Sequence, residues 1–92
     1  MLNTTILLLA SDPAVREVVR EALESAGYSV IPTGDIGTAV ERIKTTTPDL
    51  LLIRDYIEEM SGHDAALYLR TLCHGVPVLI FGGIIVAVQR FQ

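Results

Sequence analysis

The chain has 92 residues, half of them hydrophobic, and a formal net charge of −4. That length holds one small domain, the composition is globular with no low-complexity run or block of like charge, and the acidic balance disfavours a nucleic-acid backbone or an anionic membrane as partner. Cys73 is the only cysteine, which excludes an intramolecular disulfide; the start lacks the basic segment of a secretion signal, and no apolar run reaches the roughly 18 residues of a membrane span, so a soluble, cytoplasmic chain is expected.

Residues 6–10 form a continuous apolar run, the pattern of a buried strand. Asp12 followed by Pro13 predicts a helix start, a side-chain cap before a residue whose φ is already helical. Val15, Val18, Val19, Ala22 and Leu23 recur at helical spacing as one apolar stripe, and Gly27 suits the helix end. Residues 28–33 predict a second strand. Residues 35–44 predict a second helix with Ile36, Ala39, Val40 and Ile43 inward, ended by three threonines and Pro48. Residues 50–53 predict a third strand, 55–62 a long loop, 63–73 a third helix and 76–81 a fourth strand. Cys73 lies among Leu69, Leu72 and Val76, as a buried structural thiol would.

Continuous apolar strands alternating with amphipathic helices imply a parallel sheet covered on both faces. Right-handed crossovers narrow this α/β chain to a doubly wound sheet, and the flavodoxin-like order 2-1-3-4 is one of two common choices that the pattern leaves open. In such sheets ligand sites lie beyond the carboxyl ends of the strands. The third strand ends there in Arg54 and Asp55.

Three stretches carry a likeness to a known family. They are Ile6-Leu7-Leu8-Leu9 with Asp12-Pro13-x-x-Arg16 and Leu23-Glu24-x-Ala26-Gly27-Tyr28-x-Val30; Pro48-Asp49-Leu50-Leu51-Leu52-Ile53 with Met60-Ser61-Gly62; and Val76-Pro77-Val78-Leu79-Ile80. In order and spacing they resemble the receiver domain of two-component response regulators, over about residues 5–83. The resemblance implies a CheY-like sheet of order 2-1-3-4 and a phosphoryl-accepting pocket. There an acid pair after the first strand holds Mg²⁺ and an Asp ends the third strand. A Thr or Ser ends the fourth strand, and a Lys ends the fifth. Such a pocket lets a carboxylate attack while a metal and a cation neutralise the developing oxygen charge.

Laid on this sequence, those positions depart from the pattern. The acid pair falls on Ala10 and Ser11, so Mg²⁺ binding is expected to be lost. Asp12 comes one residue late. The acceptor position, eight residues before Gly62, is Arg54, whose guanidinium is no nucleophile. The hydroxyl position is Gly82, and no lysine can be placed. A slip that made Asp55 or Asp12 the acceptor would turn a whole strand over. Arg54 either replaces the metal by pairing with Asp12 or Glu58, or reaches solvent from an unconstrained pocket.

Other residues are weaker candidates. His63 reads as a solvated helix start, Glu58-Glu59 as a surface acidic pair, Tyr56 as a contact or packing residue and Tyr68 as partly buried. Residues 84–92 do not resemble the family, which divides the chain into a receiver-like domain at 1–83 and an apolar tail at 84–92. The usual parallel fifth strand and last helix are therefore expected to be missing. Gly82-Gly83 predicts a two-residue hairpin leading into 84–88, although Ile84, Ile85 and Val88 also fit helical spacing. An apolar fourth-strand edge predicts self-association through Ile84, Ile85, Val86 and Val88.

The leading expectation is a non-enzymatic, degenerate receiver that contacts a signalling protein without phosphorylation. A receiver using Asp55 or Asp12 is the second reading, and an oligomerisation or scaffold element the third.

Overall fold

A computed structural model describes residues 4–82 and, by their backbone, 89–91. The elements follow the order β1 (Thr5–Leu9), α1 (Pro13–Ser25), β2 (Ser29–Thr33), α2 (Ile36–Thr45), β3 (Leu50–Arg54), α3 (Gly62–Arg70), β4 (Val78–Phe81) and β5 (Gln89–Phe91). The sheet order is β2-β1-β3-β4-β5, and β1 pairs in parallel with β2 and β3, as β3 does with β4. This is the doubly wound 2-1-3-4 arrangement. The strands are apolar because both faces are covered: α2 and α3 close one face over Leu7, Leu9, Leu51, Ile53, Val78 and Ile80, all buried. On the other face Leu8, Ala10 and Phe81 are buried, with Val15 and Val19 of α1 packed against them.

Each helix begins on a side-chain cap. Asp12 accepts from the Ala14 N–H at 2.9 Å, Asp35 from Thr38 N–H at 2.7 Å, and Ser61 from Asp64 N–H at 3.0 Å. The α1 stripe needs correction. Val15, Val19 and Leu23 face inward, whereas Ala22 is exposed and Val18 is 67% exposed. Val18 lies about 100° of helix rotation from the centre of the stripe formed by Val15, Val19 and Leu23, which carries it off the packed face. The third helix is also shorter than expected. It closes at Arg70 with i→i−3 bonds from Thr71 to Tyr68 and Leu72 to Leu69, and Gly75 turns the chain back at φ 80°.

No helix follows α3 among the described residues, and the strand beyond β4 is antiparallel, not a parallel fifth strand. Val78 pairs with Phe91, Leu79 with Arg90 and Ile80 with Gln89. The β4 edge expected to lie bare is thus paired within the chain, and a two-residue hairpin register, which would place Ile85 opposite Ile80, is not the one formed. Residues 84–88, including the proposed self-association residues Ile84, Ile85, Val86 and Val88, lie outside the described residues. No helix among the described residues is long and apolar enough to cross a membrane.

Candidate functional site

The carboxyl ends of β1, β3 and β4 converge, and a cleft of about 410 Å³ opens there, lined by Ser11, Asp12, Pro13, Arg54, Tyr56 and Glu58. The structure therefore brings together five of the residues singled out from sequence, Ser11, Asp12, Arg54, Tyr56 and Glu58. Ala10 and Gly82 are close by in the fold but buried, and neither lines the cleft.

Each side chain is occupied in a way its position explains. Ala10 is fully buried; its N–H donates to the Thr33 carbonyl at 3.1 Å, and its carbonyl accepts from Arg16 Nη1 at 2.7 Å. Arg16 reaches back from the first turn of α1 and lies against Gly34, where an added Cβ would sit 2.8 Å from Nη1. The Ser11 hydroxyl accepts from the Glu58 N–H at 2.9 Å, joining the β1–α1 and β3–α3 loops. Asp12 is turned onto the start of α1 as its cap.

The loop after β3 is held from inside. Ile57 is fully buried, its N–H donates to Met60 O at 3.1 Å, and Tyr56 forms a lone bridge with Ser61 while remaining 69% exposed. Gly62 is required at its place: a Cβ would collide with the Arg54 carbonyl oxygen and stand 2.9 Å from the Arg54 carbonyl carbon and the Asp55 Cα. The Gly62 N–H donates to Asp55 O at 2.7 Å, and Asp55 N–H to Phe81 O at 2.6 Å.

Arg54 does not pair with Asp12 or Glu58. Its side chain is 24% exposed, and its ion-pair partner is the adjacent Asp55, at 4.0 Å from Nε to Oδ1. The reason is local: the Asp12 carboxylate is committed to Ala14, and Arg54 and Asp55 share the end of one strand. Asp55, 58% exposed at its side chain, lies over Gly82. Among the described residues no group of three or more His, Cys, Asp or Glu side chains is placed to hold a metal.

The match to the response regulator receiver domain spans residues 6–87. The chain belongs to that family. This receiver is 30% identical over 76 residues to the probable transcriptional regulatory protein TcrX of Mycobacterium tuberculosis, covering 83% of this chain and 32% of that protein. It spans about a third of the length of the curated relatives it matches. Among solved structures, a CheY-like receiver domain from Methylobacillus flagellatus superposes with a TM-score of 0.82 at 20% identity, over 90% of this chain and 72% of that one. The response regulator protein TrrA of Thermotoga maritima, solved in complex with Mg²⁺ and BeF, gives 0.77 at 20% identity, over 86% and 69%. These two likenesses establish the fold.

Some residues around this receiver's site carried no role in the sequence reading. Arg16 belongs to the motif that identified the first third of the chain, but its contact with the Ala10 carbonyl depends on the turn between β1 and α1. Glu59 accepts from the Ile36 N–H at 3.3 Å and so serves the start of α2, a role its loop position alone does not reveal. Cys73 is buried, and that burial raises its thiol pKa, as a structural cysteine requires. His63 is exposed at the start of α3 and Tyr68 is 48% exposed.

The α2 cap gives the domain a pH signature. Hydrogen bonds from the Thr38 backbone and hydroxyl hold the Asp35 carboxyl below its ordinary 3.8. A carboxylate with a lowered native pKa stabilises the fold above its unfolded pKa, and that contribution is lost as pH falls through the native value. Urea midpoints measured downward from about pH 5 should fall, and fall less steeply in Asp35→Asn, which keeps a capping amide. An identical decline in both proteins would remove Asp35 from the account.

Proposed function

We propose that this receiver domain works in two-component signalling as a protein-contact module that does not accept a phosphoryl group. The observation that carries this reading is Arg54 at the carboxyl end of β3, a residue of the cleft lining whose guanidinium lies beside the Asp55 carboxylate. A phosphoryl acceptor at that point must be a nucleophile, and an arginine is permanently protonated. The residues present also do not fit Mg²⁺. A hard dication needs carboxylate oxygens, whereas Ala10 offers none, Ser11 Oγ is bonded to Glu58 N–H, and Asp12 is engaged as a helix cap.

What remains suits binding rather than chemistry: an open cleft flanked by the exposed Tyr56 ring, on a rigid sheet. The partner is a signalling protein rather than nucleic acid, consistent with the net charge of −4. Receiver domains generally signal by docking, and no catalytic role is assigned to this one. The reading in which Asp55 is the acceptor has less support. Its carboxylate lies over Gly82, which carries no hydroxyl, and Asp55 is not among the residues that line the cleft.

Incubation with acetyl phosphate and Mg²⁺ followed by intact-mass measurement tests the proposal. The mass should be unchanged. A phosphoryl adduct that disappears in Asp55→Ala would overturn it in favour of Asp55.

A further inference from the structure

Gly82 is buried at the end of β4, and its φ does not lie in the left-handed region that demands glycine. What bars a side chain there is Asp55. A Cβ built on Gly82 would collide with Asp55 Oδ2 and lie 2.8 Å from its Cγ and 3.4 Å from its Cβ. The Asp55 backbone cannot retreat readily, because its N–H is bonded to Phe81 O at 2.6 Å and its carbonyl accepts from Gly62 N–H at 2.7 Å. The side chain alone can yield, by leaving the glycine. While it is seated, Oδ1 stays 4.0 Å from Arg54 Nε.

We propose that Asp55, seated on Gly82, is an autoinhibitory carboxylate: it supplies Arg54 with an anion from within the chain and closes that guanidinium to a small tetrahedral anion such as inorganic phosphate. Two separable properties of Asp55 follow. Its seated bulk fills the space that a side chain at position 82 would need, and its charge repels an anion approaching Arg54, the one cation among the described residues that line the cleft. Gly82 is therefore the positioning residue for Asp55. This inference builds on the site being one that takes no covalent phosphoryl group, but its test reads a steric coupling and a reversible anion, so either can fail alone.

A double-mutant cycle reads the bulk. Gly82→Ala should raise the unfolding equilibrium constant at least about tenfold, and by less than about threefold when Asp55→Ala is also present. If Gly82→Ala alone does not fold, recovery of folding in the double variant is the same coupling; equal costs in both backgrounds, or no recovery, overturn the steric half. Asp55→Asn reads the charge, since it keeps the bulk. Titrated with inorganic phosphate, this variant should show a saturable shift of the Arg54 Nε–H resonance, with an apparent affinity at least about tenfold above wild type. Equal affinities, or no response in Asp55→Asn, overturn the autoinhibitory role.

Discussion

Gly62→Ala should destabilise this domain by about 3 kcal/mol or more, the upper range for forcing extra volume into packed structure. A methyl there meets backbone, the Arg54 carbonyl group and Asp55 Cα, and these atoms are held by the β3–β4 pairing and by the bond from Asp55 N–H to Phe81 O. The contrast with Gly82 is instructive, because there the obstruction is a carboxylate that can rotate away. Gly37→Ala provides the control. Its Cβ would meet only Asp35 Oδ1, at 3.5 Å, and an exposed helical glycine replaced by alanine is neutral or stabilising by up to about 1 kcal/mol. Urea denaturation of the three proteins decides the matter; a Gly62→Ala midpoint equal to wild type would mean that the β3–α3 junction can shift freely.

The second large effect belongs to the centre of the sheet. Leu51 is fully buried between β1 and β4, opposite Leu7 and Val78, in the cluster that α2 and α3 cover. Leu51→Ala should cost about 2–5 kcal/mol, transfer of the lost methyls plus the cavity they leave. Against a total stability of about 5–15 kcal/mol that loss removes a large share of the folded state's margin. Val18→Ala, on the exposed flank of α1, should stay within about 0.5 kcal/mol. Thermal and urea midpoints that moved equally for the two variants would contradict the assignment of the core.

The strands were readable because each is a short apolar run between strong punctuation: Asp12-Pro13, Gly27, Pro48 and Gly75 mark turns by backbone chemistry that does not depend on the rest of the fold; their spatial order came from the family resemblance, since the pattern left two orders open. The placing of the family positions on Ala10, Ser11, Arg54 and Gly82 rests on a related argument, since register in a buried strand cannot slip by one residue without turning every side chain over. Where the reading fell short, the deciding forces were tertiary. Val18 matched the helical period yet lies off the packed stripe, because spacing alone does not say where a stripe is centred. The pairing of β4 with Gln89–Phe91 lay beyond local turn signals, which favoured a tight hairpin at Gly82-Gly83. At the site, sequence located Arg54 but not its neighbour. Charge balance pointed to Asp12 or Glu58, whereas the cap geometry of α1 and the peptide link itself set Asp55 beside it. The filled space over Gly82 was invisible for the same reason: an absent side chain in a sequence does not show which atoms occupy its volume.

The single bond between Ser11 Oγ and the Glu58 N–H spans 47 residues of sequence. It splices two loops into one surface, one of them the doorstep of α1 and the other the perch of Tyr56. The loop that carries Tyr56 and the residue that precedes the α1 cap are therefore fastened together at the rim of one cleft, and neither can shift without loading the other.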